Sequence, residues 1–206
     1  MAFKAEKVPH TKTIGLRADT PNTPIGRKSG EVEIALEEGF MILSAHREQM
    51  IKWLNDAHAM ELSIEKALED HVKDAGGFPE LRDRLEEHLL ATRRHAMRMV
   101  AAIDKLGGEV SHVRALVANT MGWLEGKSTA MFKDELVKDV LADYAAEQFE
   151  VACYTALIAA AEELADMEVA ELCSNNLHED DAMAQWLLAH IPIVTRGHLM
   201  EGAVAR

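Results

Sequence analysis

Carboxylates and imidazoles interrupt four apolar stripes of this chain, each near the middle of a stretch with helical period. Glu61 lies on the stripe Met50, Leu54, Ala57, Ile64 and Leu68. His88, Thr92 and His95 lie on Leu81, Leu85, Met99 and Leu106. Glu147, with Glu150 beside it, interrupts Val140, Tyr144, Val151, Tyr154 and Ile158. Glu179 and Asp180 interrupt Val169, Leu172, Met183 and Leu187. An unpaired charge inside a helical bundle is costly, so such a group neutralises, pairs or binds a metal. A metal held by inward carboxylates and imidazoles accounts for all four interruptions at once.

Oxygen ligands joined by one or two imidazoles suit iron or manganese, and zinc less well. Glu147 and Glu150 are spaced i, i+3, so both can face one cavity. One can then bridge two cations while the other binds terminally. Two redox-active ions so held would reduce oxygen or peroxide while oxidising iron. The predicted ligands are Glu61, His95, Glu147, Glu150 and Glu179, with His88 as a weaker candidate. Glu147, whose neighbours three and four away are apolar or aromatic, reads as a ligand or a paired core acid, and each of the others has a second reading. His95 also reads as a core-edge histidine bonded to a carboxylate. His88, next to Glu87, reads first as part of a solvated charge cluster. Glu150 fits the bundle edge equally well. Glu179 belongs to the acidic run His178-Glu179-Asp180-Asp181, and such runs are usually solvated. Glu61 has Glu65 one turn on, though Met60 and Ile64 argue against an exposed strip. The other histidines, His10, His46, His58, His71, His112, His190 and His198, show no paired spacing and read as ordinary. No Gly-rich phosphate loop and no convincing Ser-His-Asp or Cys-His arrangement accompanies them.

Positioning these groups calls for long helices. Residues 31–75 read as one helix, with Ser29 as its cap and a break near Gly39. Gly76-Gly77 ends it, and Pro79 opens a second helix over 79–106, closed by Gly107-Gly108. A short helix from Ser111 to about Leu124 bridges the halves. Helical period returns from Lys133 to Leu164 and again from Glu168 to Ala189, where Pro192 is expected to stop the chain's last helix. Two antiparallel pairs with one long connection make an all-α, ferritin-like four-helix bundle. Counting from the Gly76-Gly77 turn at about 1.5 Å per residue puts Glu61 and His95 in one layer. Residues 1–30 stand apart as a basic, irregular arm with six lysines and arginines and three prolines. The bundle is read as 31–190 and the C-terminal tail as 191–206.

The chain has 206 residues, 48% of them hydrophobic and 5% aromatic, which favours helix over sheet. Its formal charge of −13 argues against nucleic acid as a partner. Cys153 and Cys173 form no metal-type pair, which suits a reduced, cytoplasmic protein. No stretch reads as a signal peptide or a bilayer span.

The segments 53–68 (WLNDAHAMELSIEKAL), 85–99 (LEEHLLATRRHAMRM), 143–157 (DYAAEQFEVACYTAL) and 172–187 (LCSNNLHEDDAMAQWL) resemble the YciE/YciF-like branch of the ferritin-like superfamily. The resemblance covers about residues 50–190. It implies a homo-oligomer, dimeric or larger, with a dinuclear metal site and an association with stress responses. Three departures stand out. Ala91 replaces the second-helix carboxylate of the family pattern. Glu147-Gln148-Phe149-Glu150 keeps the acidic pair of Glu-His-Tyr-Glu but not its middle. Asp180 shortens the second acid of the last motif. Two functions follow as expectations. One is an iron or manganese protein, a ferroxidase or a consumer of peroxide. The other is a metal-free, degenerate bundle with a structural or assembly role, which Ala91 favours. A cargo protein held in a larger shell is a third reading.

Overall fold

The computed structural model describes residues 29–111 and 135–204. Residues 1–28 of the expected arm and residues 112–124 of the expected short helix lie outside the described residues, while Ser29 and Gly30, expected in the arm, belong to the first helix. Among the described residues four helices follow one another. These are α1 (Ser29–Asp74), α2 (Pro79–Lys105), α3 (Glu135–Glu163) and α4 (Met167–Val204), with a 3-10 turn at Ala75–Gly77 between the first two. No strand occurs among the described residues. Gly39–Arg206 form one compact unit that holds the bundle. In the unit Met1–Glu38 the described residues are the opening turns of α1.

Each turn has a local cause. Pro79 sits in the first turn of α2, where a missing N–H costs nothing. Gly107 takes φ +73° beyond the end of α2. Its N–H donates to Asp104 O and that of Gly108 donates to Ile103 O, at 2.9 and 3.0 Å. This paired arrangement satisfies carbonyls that a helix end leaves open. α3 ends the same way, but with Ala165 at φ 56° in the glycine position.

The ion pairs fix the order of the helices. Lys105, at the end of α2, reaches Glu168 at the start of α4 at 2.6 Å. His71, near the end of α1, reaches Asp143 in the third turn of α3 at 2.7 Å. The connection after α2 therefore leaves from the end of the bundle opposite to the start of α3. It sets out along α1, where Asn55 donates to Glu109 O at 3.2 Å. Gly108 packs so closely on Ile51 that a Cβ would lie 2.6 Å from Cγ2. This is the ferritin-like arrangement of two hairpins joined by one crossover. Met50, Leu54, Leu68, Leu85, Met99, Ile103, Met183 and Leu187 fill the space between helices.

Two expectations are corrected. α1 runs through Gly39 without a break. α4 runs through Pro192 to Val204 instead of stopping there. A proline inside a helix costs about 3 kcal/mol, and packing offsets it. Val194 is buried and Ile191 packs on the core. The Phe78 ring lies against Gly197, where a Cβ would approach to 2.7 Å.

Candidate metal centre

The four helices bring six buried side chains to the middle of the bundle. Glu61 comes from α1, His88 and His95 from α2, Glu147 and Glu150 from α3, and Asp180 from α4. His95 Nδ1 lies 3.2 Å from Asp180 Oδ1 and 3.6 Å from Glu61 Oε2. His88 Nε2 lies 2.8 Å from Glu147 Oε1. The two imidazoles stand nearly perpendicular, with centroids 6.2 Å apart. Two sets of three ligand atoms result, each with its atoms within 4.8 Å of one another. One set is Glu61, His95 and Asp180; the other is His88, Glu147 and Asp180. Asp180 belongs to both.

These atoms lack the partners that burial demands. Glu61 Oε2, His88 Nε2, both ring nitrogens of His95, both oxygens of Glu147 and of Asp180, and Glu150 Oε2 are buried without a hydrogen-bond partner among the described residues. The close His88–Glu147 approach is therefore a contact without hydrogen-bond geometry. Such orphaned acceptors are expensive in a dry interior. A divalent cation satisfies carboxylates and neutral imidazoles together, so the donor set fits a transition metal.

The electrostatics follow from desolvation. Burial, then the negative charges of Glu147 and Glu61, push Asp180 up to about 10. Burial, followed by Asp143 and Glu61, holds Glu147 well above the carboxylate range. Burial raises Glu150 as well, with Glu61, Asp180 and Glu147 adding to it. Burial pushes His88 down to about 4, against the opposing pull of Glu61 and Asp143. These shifts favour the protonated carboxyls at Glu147, Glu150 and Asp180 and the neutral imidazole at His88.

A second ring of residues holds the first. The Tyr154 hydroxyl donates to Glu61 Oε1, leaving Oε2 toward His95. Asn176 Nδ2 donates to Tyr154 Oη at 2.8 Å, and Arg98 donates to Asn176 Oδ1 at 2.9 Å. Burial raises Tyr154 well above its usual range, and Glu61 adds to it. The phenol therefore keeps its proton as a donor.

The predicted residues fall unequally. Glu61, His88, His95 and Glu147 enter the two ligand sets, while Glu150 is buried near Glu61 and belongs to neither set. The solvated reading of His88 and the edge reading of Glu150 do not hold, because both are buried. Glu179 stands at the rim, a third exposed. Its oxygens pair with Arg94 at 2.9 Å and Arg98 at 2.8 Å, and Oε2 is 3.4 Å from His95 Nε2. Burial works to raise Glu179, but these two guanidiniums outweigh it and hold the carboxyl low. Asp180, one residue on, is the fourth helix's central acid and was not among the predicted ligands. Its signal was the stripe Val169, Cys173, Asn176, Asp180, Met183 and Leu187, all fully buried. His71, read as ordinary, is mostly buried between Asp143 and Asp139. Ala91 is buried where the resemblance expects a carboxylate.

The family described as a domain of unknown function, DUF892, matches residues 45–200. A solved protein from Xanthomonas campestris is 29% identical, with a TM-score of 0.67 over 77% of this chain and 99% of that one. The stress protein YciF of E. coli is 18% identical, with a TM-score of 0.61 over 71% of this chain and 94% of its own. Bacterioferritin from Desulfovibrio desulfuricans, a diiron protein, is 21% identical, with a TM-score of 0.60 over 77% of this chain and 89% of its own. The last two likenesses concern the fold, which is ferritin-like.

Proposed function

The chain belongs to the DUF892 family, and from that premise we propose that it is a ferritin-like metalloprotein using iron or manganese to oxidise iron or consume peroxide. The observation that carries this reading is the pair of ligand sets sharing Asp180, built from buried atoms without partners. Two sets with one shared carboxylate suit a dinuclear site. The diiron site of bacterioferritin, on the same fold, is consistent with it. A role in oxidative-stress defence in a reducing cytoplasm fits the two free thiols, Cys153 and Cys173.

When bound, iron or manganese supplies the redox couple that oxygen or peroxide requires. This chain's residues do the rest. Glu61, Glu147, Glu150 and Asp180 neutralise the cations. His95 and His88 offer imidazole nitrogens. Tyr154 fixes the orientation of Glu61, and the surrounding core excludes water. On loading, Glu147, Glu150 and Asp180 release protons, so affinity weakens as pH falls.

Buried Ala91 favours the rival reading, a metal-free bundle with a structural role. One experiment separates them. The protein is purified without added metal, reconstituted with Fe(II) or Mn(II), desalted and analysed for bound metal, alongside Glu147→Ala. The metalloprotein reading expects about one equivalent or more in the wild type and a large loss in the variant. Less than about a tenth of an equivalent in the wild type overturns it and leaves the structural reading.

A further inference from the structure

Glu147 is one of a file of acids that α3 turns inward. Asp139, Asp143, Glu147 and Glu150 recur at spacings of four, four and three, which keeps them on one face. Side-chain exposure falls along the file, from 15% at Asp139 to 5% at Asp143 and 1% at Glu147. At the outer end His71 of α1 touches the first two. Its Nδ1 is 2.7 Å from Asp143 Oδ1 and its Nε2 is 3.5 Å from Asp139 Oδ1.

A histidine between two aspartates reads first as a structural ion pair. That reading leaves Asp143 Oδ2 unexplained, because it is buried without a hydrogen-bond partner. Asp143 also acts electrostatically on Glu147 and His88, one turn further in. A divalent ion crossing a low-dielectric interior must meet new ligands before it loses its water. Acids four residues apart on a helix, about 6 Å along the axis, supply them in sequence.

We propose that Asp139, Asp143 and Glu147 form the uptake route by which divalent cations pass from the protein surface to the buried centre. Asp143 is the transfer group, and His71 fixes the outer two carboxylates. The inference rests on the metal reading above. It assigns Asp139 and Asp143 a part in the rate of loading, not in the capacity of the centre.

The test follows uptake of cobalt(II) by the full chain, by rapid mixing and visible absorbance. The variants are Asp143→Asn, Asp139→Asn and Asp83→Asn, the last a surface acid off the file and 70% exposed. Asp143→Asn should load at least about tenfold more slowly and reach the wild-type endpoint. Asp139→Asn should be slowed less, and Asp83→Asn should match the wild type. An unchanged rate in Asp143→Asn overturns the route. A lowered endpoint in that variant also overturns it, because Asp143 would then belong to the centre itself. If Asp143→Asn does not fold, Asp139→Asn decides alone, and a wild-type rate there overturns the route. A wild-type protein that takes up no cobalt removes the metal reading and the route together. Normal wild-type loading with unslowed variants removes the route only.

Discussion

Asp180 joins both ligand sets, and burial keeps its proton on in the absence of a cation. Asp180→Asn preserves the shape of the protonated acid and removes the ionisable group. Bound metal should fall more than about tenfold, while the melting temperature of the metal-free protein rises by about 3 °C. A variant that retains metal would exclude Asp180 as a shared ligand. His71 gives a test of opposite kind. Burial alone would lower it, but Asp143 and Asp139 raise it to about 9 from an ordinary 6.5. Its imidazolium is thus bound more tightly in the folded chain. That contribution is complete below about pH 6.5 and is lost as pH rises through about 9. Thermal scans of metal-free protein should show falling stability from pH 7 to pH 10, with a shallower fall in His71→Gln. At pH 7 that variant should be less stable by about 3 kcal/mol, because it leaves buried acids without a counter-charge. Identical pH profiles would refute the pairing. At this scale the sequence was readable where one polar residue broke an apolar stripe, as at Glu61 and Glu147. It was ambiguous in His178-Glu179-Asp180-Asp181. A rotation of α4 by one residue chooses between Glu179 and Asp180, and the packing of Cys173 and Asn176 sets that rotation.

Helix ends show the same division. Gly107-Gly108 announces its turn, because glycine enters the left-handed region freely and Gly107 does so at φ +73°, while Gly76-Gly77 announces one through glycine's poor helix propensity. Ala165 carries no such signal and yet adopts φ 56°. An L side chain there costs about 1–2 kcal/mol. Ala165→Gly should therefore stabilise the protein by about 1 kcal/mol, or about 2–4 °C in melting temperature. A lowered melting temperature would mean that the methyl group contributes packing that outweighs its strain. Pro192 shows the limit of local rules. Its cost to a helix is real, but Val194 beyond it is buried, and Gly197 seats the ring of Phe78, a residue more than a hundred positions away.

For the molecule as a whole, one surface stands out. Phe40, Met41, Ile42 and Leu43 of α1 are 76%, 65%, 55% and 58% exposed, and Trp53 is nearly half exposed. Four consecutive helical residues point in different directions, so one flat partner face would leave some uncovered. At roughly 100 Å² each, the two or three of these side chains that share one face give about 500 Å² for a pair of chains, so a specific interface must draw on the neighbouring surface as well. A second copy of this chain meeting it symmetrically is the expected occupant. Sedimentation at micromolar concentration should give twice the chain mass, and Phe40→Glu with Leu43→Glu should give a monomer. A monomeric wild type would dispose of the idea. The sequence by itself determined the main helical stretches, the turn of the first hairpin and the presence of acids and imidazoles in apolar stripes, because helical period and glycine turns are local properties. Only the tertiary structure decided that Asp180 is the shared acid, that Glu179 stays with Arg94 and Arg98 at the rim, and that His71 sits between two aspartates. Those outcomes depend on the rotation and level of each helix against three others, which no single stretch of sequence encodes.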